Sequence, residues 1–269
     1  MVRQGRPLCA PVTDEQLANP LLEVDPLGWL GPSIAGLQVL CLAAGGGRQS
    51  ALYASAGAHV TVVDLSPEML RLDREVAAER RLSMRILEGS IEDLSMLPQA
   101  FFDLVIHPVS TCYVPDIRPV YRSVAAVLRH GGLYISQHKQ PVSLQSSTER
   151  ERNGSYVLCE TYYRTKPIPP PRTQNSVAAR LREFGTLEYL HRWEEIVGGM
   201  CRAGFVIEDL VEPLHAKEDS PVGSFADRAR YIAPYVRIKA RRIGPRGAGD
   251  ASGEVLPSDT PRLWLPASD

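Results

Sequence analysis

The sequence predicts an α/β fold in which a mostly parallel sheet carries helices on both faces. Three observations lead there. Short apolar runs at residues 39–42, 60–63, 102–106 and 133–135 alternate with segments whose apolar residues recur at helical spacing. Glycines stand at the junctions: Gly45, Gly46 and Gly47 after the first run, Gly57 before the second, Gly131 and Gly132 before the last. Residues 38–64 read as strand, glycine corner, helix and strand, a βαβ unit whose two strands run parallel.

The elements follow in order. Residues 1–36 are a lead-in. The first 20 are polar and irregular, with Pro7, Pro11 and Pro20. Residues 21–36 set Leu21, Leu22, Leu27, Trp29 and Leu30 among prolines and glycines, as an ordered loop packed on the domain. Two readings stand for it, a loop lying over the cofactor cleft or a covering loop without ligand contact. The main domain spans 37–240. Its first strand ends at Leu42, and a helix from about Arg48 to Ala56 stops at Gly57. The second strand ends on Asp64. Ser66 then caps a helix, Pro67 suits its first position and Glu68 its positive end, and Met69, Leu72 and Val76 carry it to about Arg81. Residues 84–88 are the third strand, residues 89–94 the loop after it, and residues 92–97 a short helix. Residues 102–107 are the fourth strand. Val120, Val124, Val127 and Leu128 share one face of a helix that ends with Arg129 and His130 and stops at Gly131 and Gly132. Residues 133–137 make the fifth strand. Residues 138–190 break the rhythm, with an inserted strand at 156–163 and a proline-rich extended stretch at 166–171. A helix at 193–202 and strands at 205–210 and 235–240 close the domain. Residues 241–269, rich in Gly, Pro, Ser and Asp, read as a disordered tail in which Trp264 could dock.

Composition narrows the function. At 269 residues, one main domain with decorations is expected. A net charge of −1 gives no broad attraction to nucleic acid or to an anionic membrane surface. No apolar run reaches the ~18–20 residues of a membrane span, and the N-terminus lacks a signal-type apolar core. The five cysteines, Cys9, Cys41, Cys112, Cys159 and Cys201, are scattered without a CxxC pair. They read as reduced thiols of a cytoplasmic protein, with no zinc or other metal site.

The chemistry concentrates at the first βαβ unit. Glycines between a strand and a helix let the backbone approach a ligand, because no Cβ stands in the way. An acid closing the next strand, about 20 residues on, sits where ribose hydroxyls need an acceptor. Gly45, Gly46, Gly47 and Asp64 are therefore expected to hold an adenosine-containing cofactor. His107, ending the fourth strand, Tyr113, in the loop after it, and His138 stand at strand ends, where open α/β sheets bind ligands. Each fits a proton acceptor or a structural hydrogen bond. His191 fits either a pocket lining or a helix start.

The order of these features resembles the class I S-adenosylmethionine-dependent methyltransferases of the small-molecule type. Leu40-Cys41-Leu42-Ala43-Ala44-Gly45-Gly46-Gly47 lies on that family's first motif, the likeness spans residues 37–137, and Ala203-Gly204-Phe205 matches its late strand. The family usually carries an acid where Cys41 stands, Gly where Ala43 stands and often Asp where Ser90 stands. The resemblance implies a Rossmann-like, seven-stranded, mostly parallel sheet with the last strand antiparallel. It implies S-adenosyl-L-methionine as cofactor, a small-molecule methyl acceptor, and a cap over that acceptor formed by residues 138–190, with Tyr156, Tyr162 and Tyr163 either lining it or serving as ordinary strand residues. It implies cofactor contacts from Ala43, Gly45, Gly46, Gly47, Asp64, Leu65, Met69, Ser90, Ile91 and His107, with His107 or Tyr113 in a catalytic role. A nicotinamide-dependent oxidoreductase is the rival on a related fold. It needs glycine three residues beyond Gly47, where Ser50 stands. A cofactor-binding module without catalysis is the non-enzyme alternative.

Overall fold

The computed structural model describes residues 12–171, 176–183 and 185–244. The last strand runs on to Arg242, into the stretch expected as a disordered tail over 241–269, and residues 245–269 lie outside the described residues. The lead-in holds two short helices, α1 (Asp14–Ala18) and α2 (Pro20–Val24), where only irregular chain and loop were expected. Their cause is local. Thr13 and Gln16 form a reciprocal capping box on α1, and Pro20 opens α2 at a position that needs no N–H donor.

The domain proper runs β1 (Gln38–Leu42), α3 (Arg48–Ser55), β2 (His59–Asp64), α4 (Pro67–Arg80), β3 (Met84–Glu88), β4 (Phe102–His107), α5 (Arg118–Val127) and β5 (Leu128–Lys139). It continues with α6 (Pro141–Gln145), α7 (Ser176–Leu181), a π-helical turn at Glu194–Gly198 running into α8 (Gly199–Arg202), β6 (Phe205–Val211), α9 (Phe225–Arg228) and β7 (Tyr235–Arg242). The seven strands form one sheet in the order β3-β2-β1-β4-β5-β7-β6. The pairs from β3 to β5 are parallel, and β7 runs antiparallel between β5 and β6. The expected sheet is the observed one.

Strand alternation splits the core into two halves. Leu40, Leu42, Val63, Val105 and Tyr134 pack with α5 and α8 on one face. Val39, Cys41, Val62, Leu104 and Ile106 pack with Tyr53 of α3 on the other, where Leu21, Val24 and Leu30 bring the lead-in down onto the sheet. Both faces are buried, which is why these strands read as continuous apolar runs.

Three expectations are corrected. The helix expected to reach Gly131 ends at Val127, because the amides of Ala100 and Phe101 take the carbonyls of Ala126 and Val127 at 2.9 and 2.8 Å. Residues 129–132 then bulge out of β5: Phe102 faces Leu128 while Leu104 already faces Leu133. Arg129, expected in a last helical turn, pairs with Asp103. The inserted strand at 156–163 does not form. Leu158 makes one isolated bridge to Ser146, with the Ser147 amide on the Val157 carbonyl at 2.8 Å and the Cys159 amide on the Gln145 carbonyl at 2.7 Å, so this segment meets the stretch around residues 145–147 and not the sheet. Residues 92–97 are turns, stabilised by the Leu97 amide on the Leu94 carbonyl at 2.9 Å and by Asp93 capping the Ser95 amide at the same distance.

Candidate active site

The glycine corner is built from the inside. Gly46 and Gly47 adopt φ of +120° and +82°, and a Cβ on Gly47 would stand 2.7 Å from Val76 Cγ2 of α4. Their amides do not face a ligand, as the sequence suggested. Both donate to the fully buried carboxylate of Asp73, at 3.0 and 3.1 Å, and Ser50 Oγ donates to the same group at 2.5 Å. Burial pushes the Asp73 pKa up, and these three hydrogen bonds oppose the shift. Ser50, the residue that breaks the nicotinamide fingerprint, is thus part of a lock on the corner.

Gly45 does face the cleft. Its amide donates to Asp64 Oδ2 at 3.0 Å, and a Cβ there would meet Met69 Cβ at 2.7 Å and Asp64 Oδ2 at 2.8 Å. Only glycine lets the corner and the acid approach this closely. Asp64 Oδ1 accepts the Ser66 amide at 2.9 Å. Two of roughly four acceptor positions on the carboxylate are then taken, leaving the others for hydroxyl groups.

Ala43 anchors the strand side of the corner. Its amide donates to Val63 O at 2.7 Å, with φ at +48°, a left-handed conformation that costs a side-chain residue ~1–2 kcal/mol. Ala43→Gly should therefore raise unfolding stability by about 0.5–1 kcal/mol, after subtracting the entropy that glycine gains when unfolded. The urea midpoint at an unchanged m-value measures it, and a lower midpoint would contradict the argument.

A cavity of about 1240 Å³ opens at the C-terminal ends of β1, β2, β4 and β5. Ala43, Gly45, Asp64, Leu65, Met69, Ser90, Ile91, His107 and Tyr113 line it, and Gly46 and Gly47 do not. Leu65, 69% exposed, stands apolar and open at the edge. Ser90 Oγ accepts the Glu92 amide at 3.2 Å, which shapes the turn after β3. The lead-in contributes Glu23 to Leu27 and Trp29, so it is a wall of the cleft rather than a remote cover. Trp29 Nε1 donates to Asp209 Oδ2 at 2.9 Å, and Asp25 accepts the Trp29 and Leu30 amides at 2.7 Å each. From the insertion come Glu183 and Thr186. Tyr156, Tyr162 and Tyr163 are not among the lining residues, and Tyr163 is 77% exposed.

The expected proton acceptors are held differently from the sequence reading. His107 is almost fully buried, with Nδ1 2.7 Å from the Tyr134 hydroxyl and Nε2 2.5 Å from Ser110 Oγ. His138 is equally buried between Thr111 Oγ1 at 2.9 Å and Ser136 Oγ at 2.8 Å. Burial lowers both to about 3, so both are neutral at pH 7 with every ring nitrogen engaged. His191 donates from Nε2 to the carbonyls of Thr111 and Val114 at 3.0 Å each. The Tyr113 hydroxyl donates to Glu183 Oε2 at 2.5 Å, and burial with that neighbouring carboxylate pushes its pKa far up. The Tyr189 amide takes the Cys112 carbonyl at 2.7 Å. These groups tie down the loop after β4 instead of offering it a base.

Sequence reasoning missed four residues here. Asp73 lies inside α4 and reads as a solvent-facing acid. Gln49 lines the cavity with a buried Oε1 that has no hydrogen-bond partner among the described residues. Gln137 and Arg237 meet across β5 and β7. Cys41 is buried in the core and absent from the cavity lining. Burial pushes its thiol pKa well up, so it stays protonated and cannot serve as the acid usual at that position.

The chain is an open, mostly parallel α/β sheet with a cavity where its first two strands end. The methyltransferase domain family matches residues 40–136. The uncharacterized methyltransferase YbaJ of Bacillus subtilis (strain 168) is 35% identical over 194 residues, covering 72% of this chain and 74% of that protein. The ubiquinone biosynthesis O-methyltransferase of Xanthomonas euvesicatoria pv. vesicatoria (strain 85-10) is 35% identical over 104 residues, covering 38% of this chain and 44% of that protein. Among solved structures, an S-adenosylmethionine-dependent methyltransferase from Mesorhizobium loti superposes with a TM-score of 0.64 at 21% identity, covering 84% of this chain and all of that one. The chain belongs to the S-adenosylmethionine-dependent methyltransferases. Among the described residues, no helix is long and apolar enough to cross a membrane.

Proposed function

We propose that this methyltransferase binds S-adenosyl-L-methionine between the glycine corner and the lead-in and methylates a small molecule held at the β5 side of the cavity. The observation that carries this reading is the meeting of the Gly45 amide with Asp64 at the cavity wall. The residues present fit the cofactor. Asp64 keeps acceptor capacity for ribose hydroxyls, and the orphaned Gln49 Oε1 suits the ammonium of the amino-acid part. Leu65, Met69 and Ile91 supply apolar surface for a purine, and Ser90 stands beside them on the lining.

When bound, the cofactor supplies an electrophilic methyl group on a positively charged sulfur. The protein's task is then alignment and exclusion of water. The loop after β4 does this through fixed, neutral groups. His107 holds Ser110 and Tyr134 in place and leaves no ring nitrogen to accept a proton. Glu183, beside Tyr113, is the ionisable group of the cap that lines the cavity and can take a proton from an acceptor that must lose one.

Isothermal titration with S-adenosylhomocysteine tests the cofactor site. Asp64→Ala is expected to weaken binding by about 1–3 kcal/mol, as two charge-assisted hydrogen bonds require. Equal affinity in wild type and variant would remove Asp64 from the site.

A further inference from the structure

The cavity contains a cation that the cofactor reading leaves unused. Arg237 lies in β7, half-buried, and lines the cavity beside Gln137 of β5. Its Nε donates to Gln137 Oε1 at 2.7 Å. That bond fixes the plane of the guanidinium. The two terminal nitrogens make no hydrogen bond and no ion pair among the described residues, although such groups seldom go inside unpaired.

None of the carboxylates on the cavity lining pairs with Arg237 among the described residues, and Glu68 faces Arg71 at 3.2 Å. Glu23 faces Arg48 at 3.6 Å, Asp25 caps the Trp29 and Leu30 amides, Asp64 takes the Gly45 and Ser66 amides, and Glu183 takes the Tyr113 hydroxyl. Arg48, the other guanidinium on the lining, has that partner.

Strand order separates the backbone of Arg237 from the glycine corner and Asp64. Asp64 ends β2 and the glycine corner follows β1, whereas β7 lies beyond β4 and β5 in the sheet. At ~4.8 Å per strand, the backbone of Arg237 lies about 14 Å to the side of β1 and about 19 Å from β2. The aromatic rings of Tyr53 and Trp29 line the same cavity. A planar fork with two free nitrogens matches the paired oxygens of an oxyanion.

We infer that Arg237, oriented by Gln137, binds an oxyanion of the methyl acceptor, so that the acceptor is an acid carrying a carboxylate or phosphate on an apolar or aromatic body. The inference rests on the cofactor reading above and extends it to the acceptor class.

The test uses the full chain and two separate readouts. Titration with S-adenosylhomocysteine comes first, on wild type and on Arg237→Gln, with thermal unfolding confirming that the variant folds. Benzoate, phenyl phosphate and neutral benzamide are then titrated into the protein saturated with S-adenosylhomocysteine, followed by ligand-observed NMR. S-adenosylhomocysteine should bind both proteins within about twofold. At least one of the two anions should bind wild type and lose about tenfold in Arg237→Gln, while benzamide binds neither protein comparably. Arg237→Lys should recover part of the loss, since charge remains without the fork. The stronger of the two anions distinguishes carboxylate from phosphate. Equal binding of benzamide, failure of both anions to bind, or anion binding unchanged in Arg237→Gln would overturn the inference while leaving the cofactor site intact. Weaker S-adenosylhomocysteine binding in Arg237→Gln would overturn it by assigning the arginine to the cofactor. No S-adenosylhomocysteine binding in wild type would instead defeat the cofactor reading, and this inference with it.

Discussion

Asp73→Ala is expected to destabilise the protein by about 3 kcal/mol and to weaken S-adenosylhomocysteine binding by at least about tenfold. The carboxylate is fully buried and receives two backbone amides and one hydroxyl from the corner. Removing it leaves the Gly46 and Gly47 amides without an acceptor, at ~1–3 kcal/mol each, and frees the Ser50 hydroxyl. Relief from burying a carboxylate returns part of that sum. With positive φ at both glycines and no acceptor beneath them, the corner no longer has a unique shape, and Gly45 loses its register with Asp64. For a domain of this size the loss is ~6–12 °C in Tm. Urea unfolding and calorimetric titration measure the two effects, and a variant with wild-type values in both would remove Asp73 as the lock.

Lowering the pH from 7 to 5 should remove about 4 kcal/mol of stability through His107 and His138. In the folded protein burial depresses both to about 3, against 6.5 when exposed. Their contribution is fully present above pH 6.5. As pH falls below it, the unfolded chain binds protons that the native state refuses, and stability drops by ~1.4 kcal/mol per pH unit for each ring until about pH 3. Their ring nitrogens face only hydroxyl groups, Tyr134, Ser110, Thr111 and Ser136, so no carboxylate offsets the shift. Burial lowers His191 as well and adds to the same trend. Denaturant unfolding at pH 5, 6, 7 and 8 gives the profile. The double variant His107→Gln and His138→Gln should flatten it even if its absolute stability is lower. A wild-type profile that is flat between pH 7 and 5 would contradict the burial argument.

Much of this was legible in the sequence because it depends on short-range spacing. The parallel sheet follows from alternating runs and glycine stops, and the approach of Gly45 to Asp64 follows from one βαβ unit. What was not legible depends on partners distant in the chain. Asp73 sits on a helix rich in charge, and only tertiary packing turns it toward the corner. The helix over 118–127 has no stop signal at Val127, because what ends it is an amide pair from residues 100 and 101. The aromatic run at 156–163 has the composition of a strand, but the partners it finds are residues 145–147, which no local pattern pairs with it. His107 was placed correctly at a strand end. That both its nitrogens are satisfied inside depends on Tyr134 and Ser110, which no local pattern pairs with it.

The loop from Ser110 to Val114 has a consequence of its own for how tightly ligands can be held. Each of its five residues carries a tie: to His107, to His138 and His191, to the Tyr189 amide, to Glu183 and again to His191. Fixing five backbone residues costs ~5–10 kcal/mol of conformational entropy. Each tie is made by the chain's own residues and none needs a ligand, so this ordering belongs to folding rather than to association, and this side of the cleft is a rigid mould rather than a closing hand.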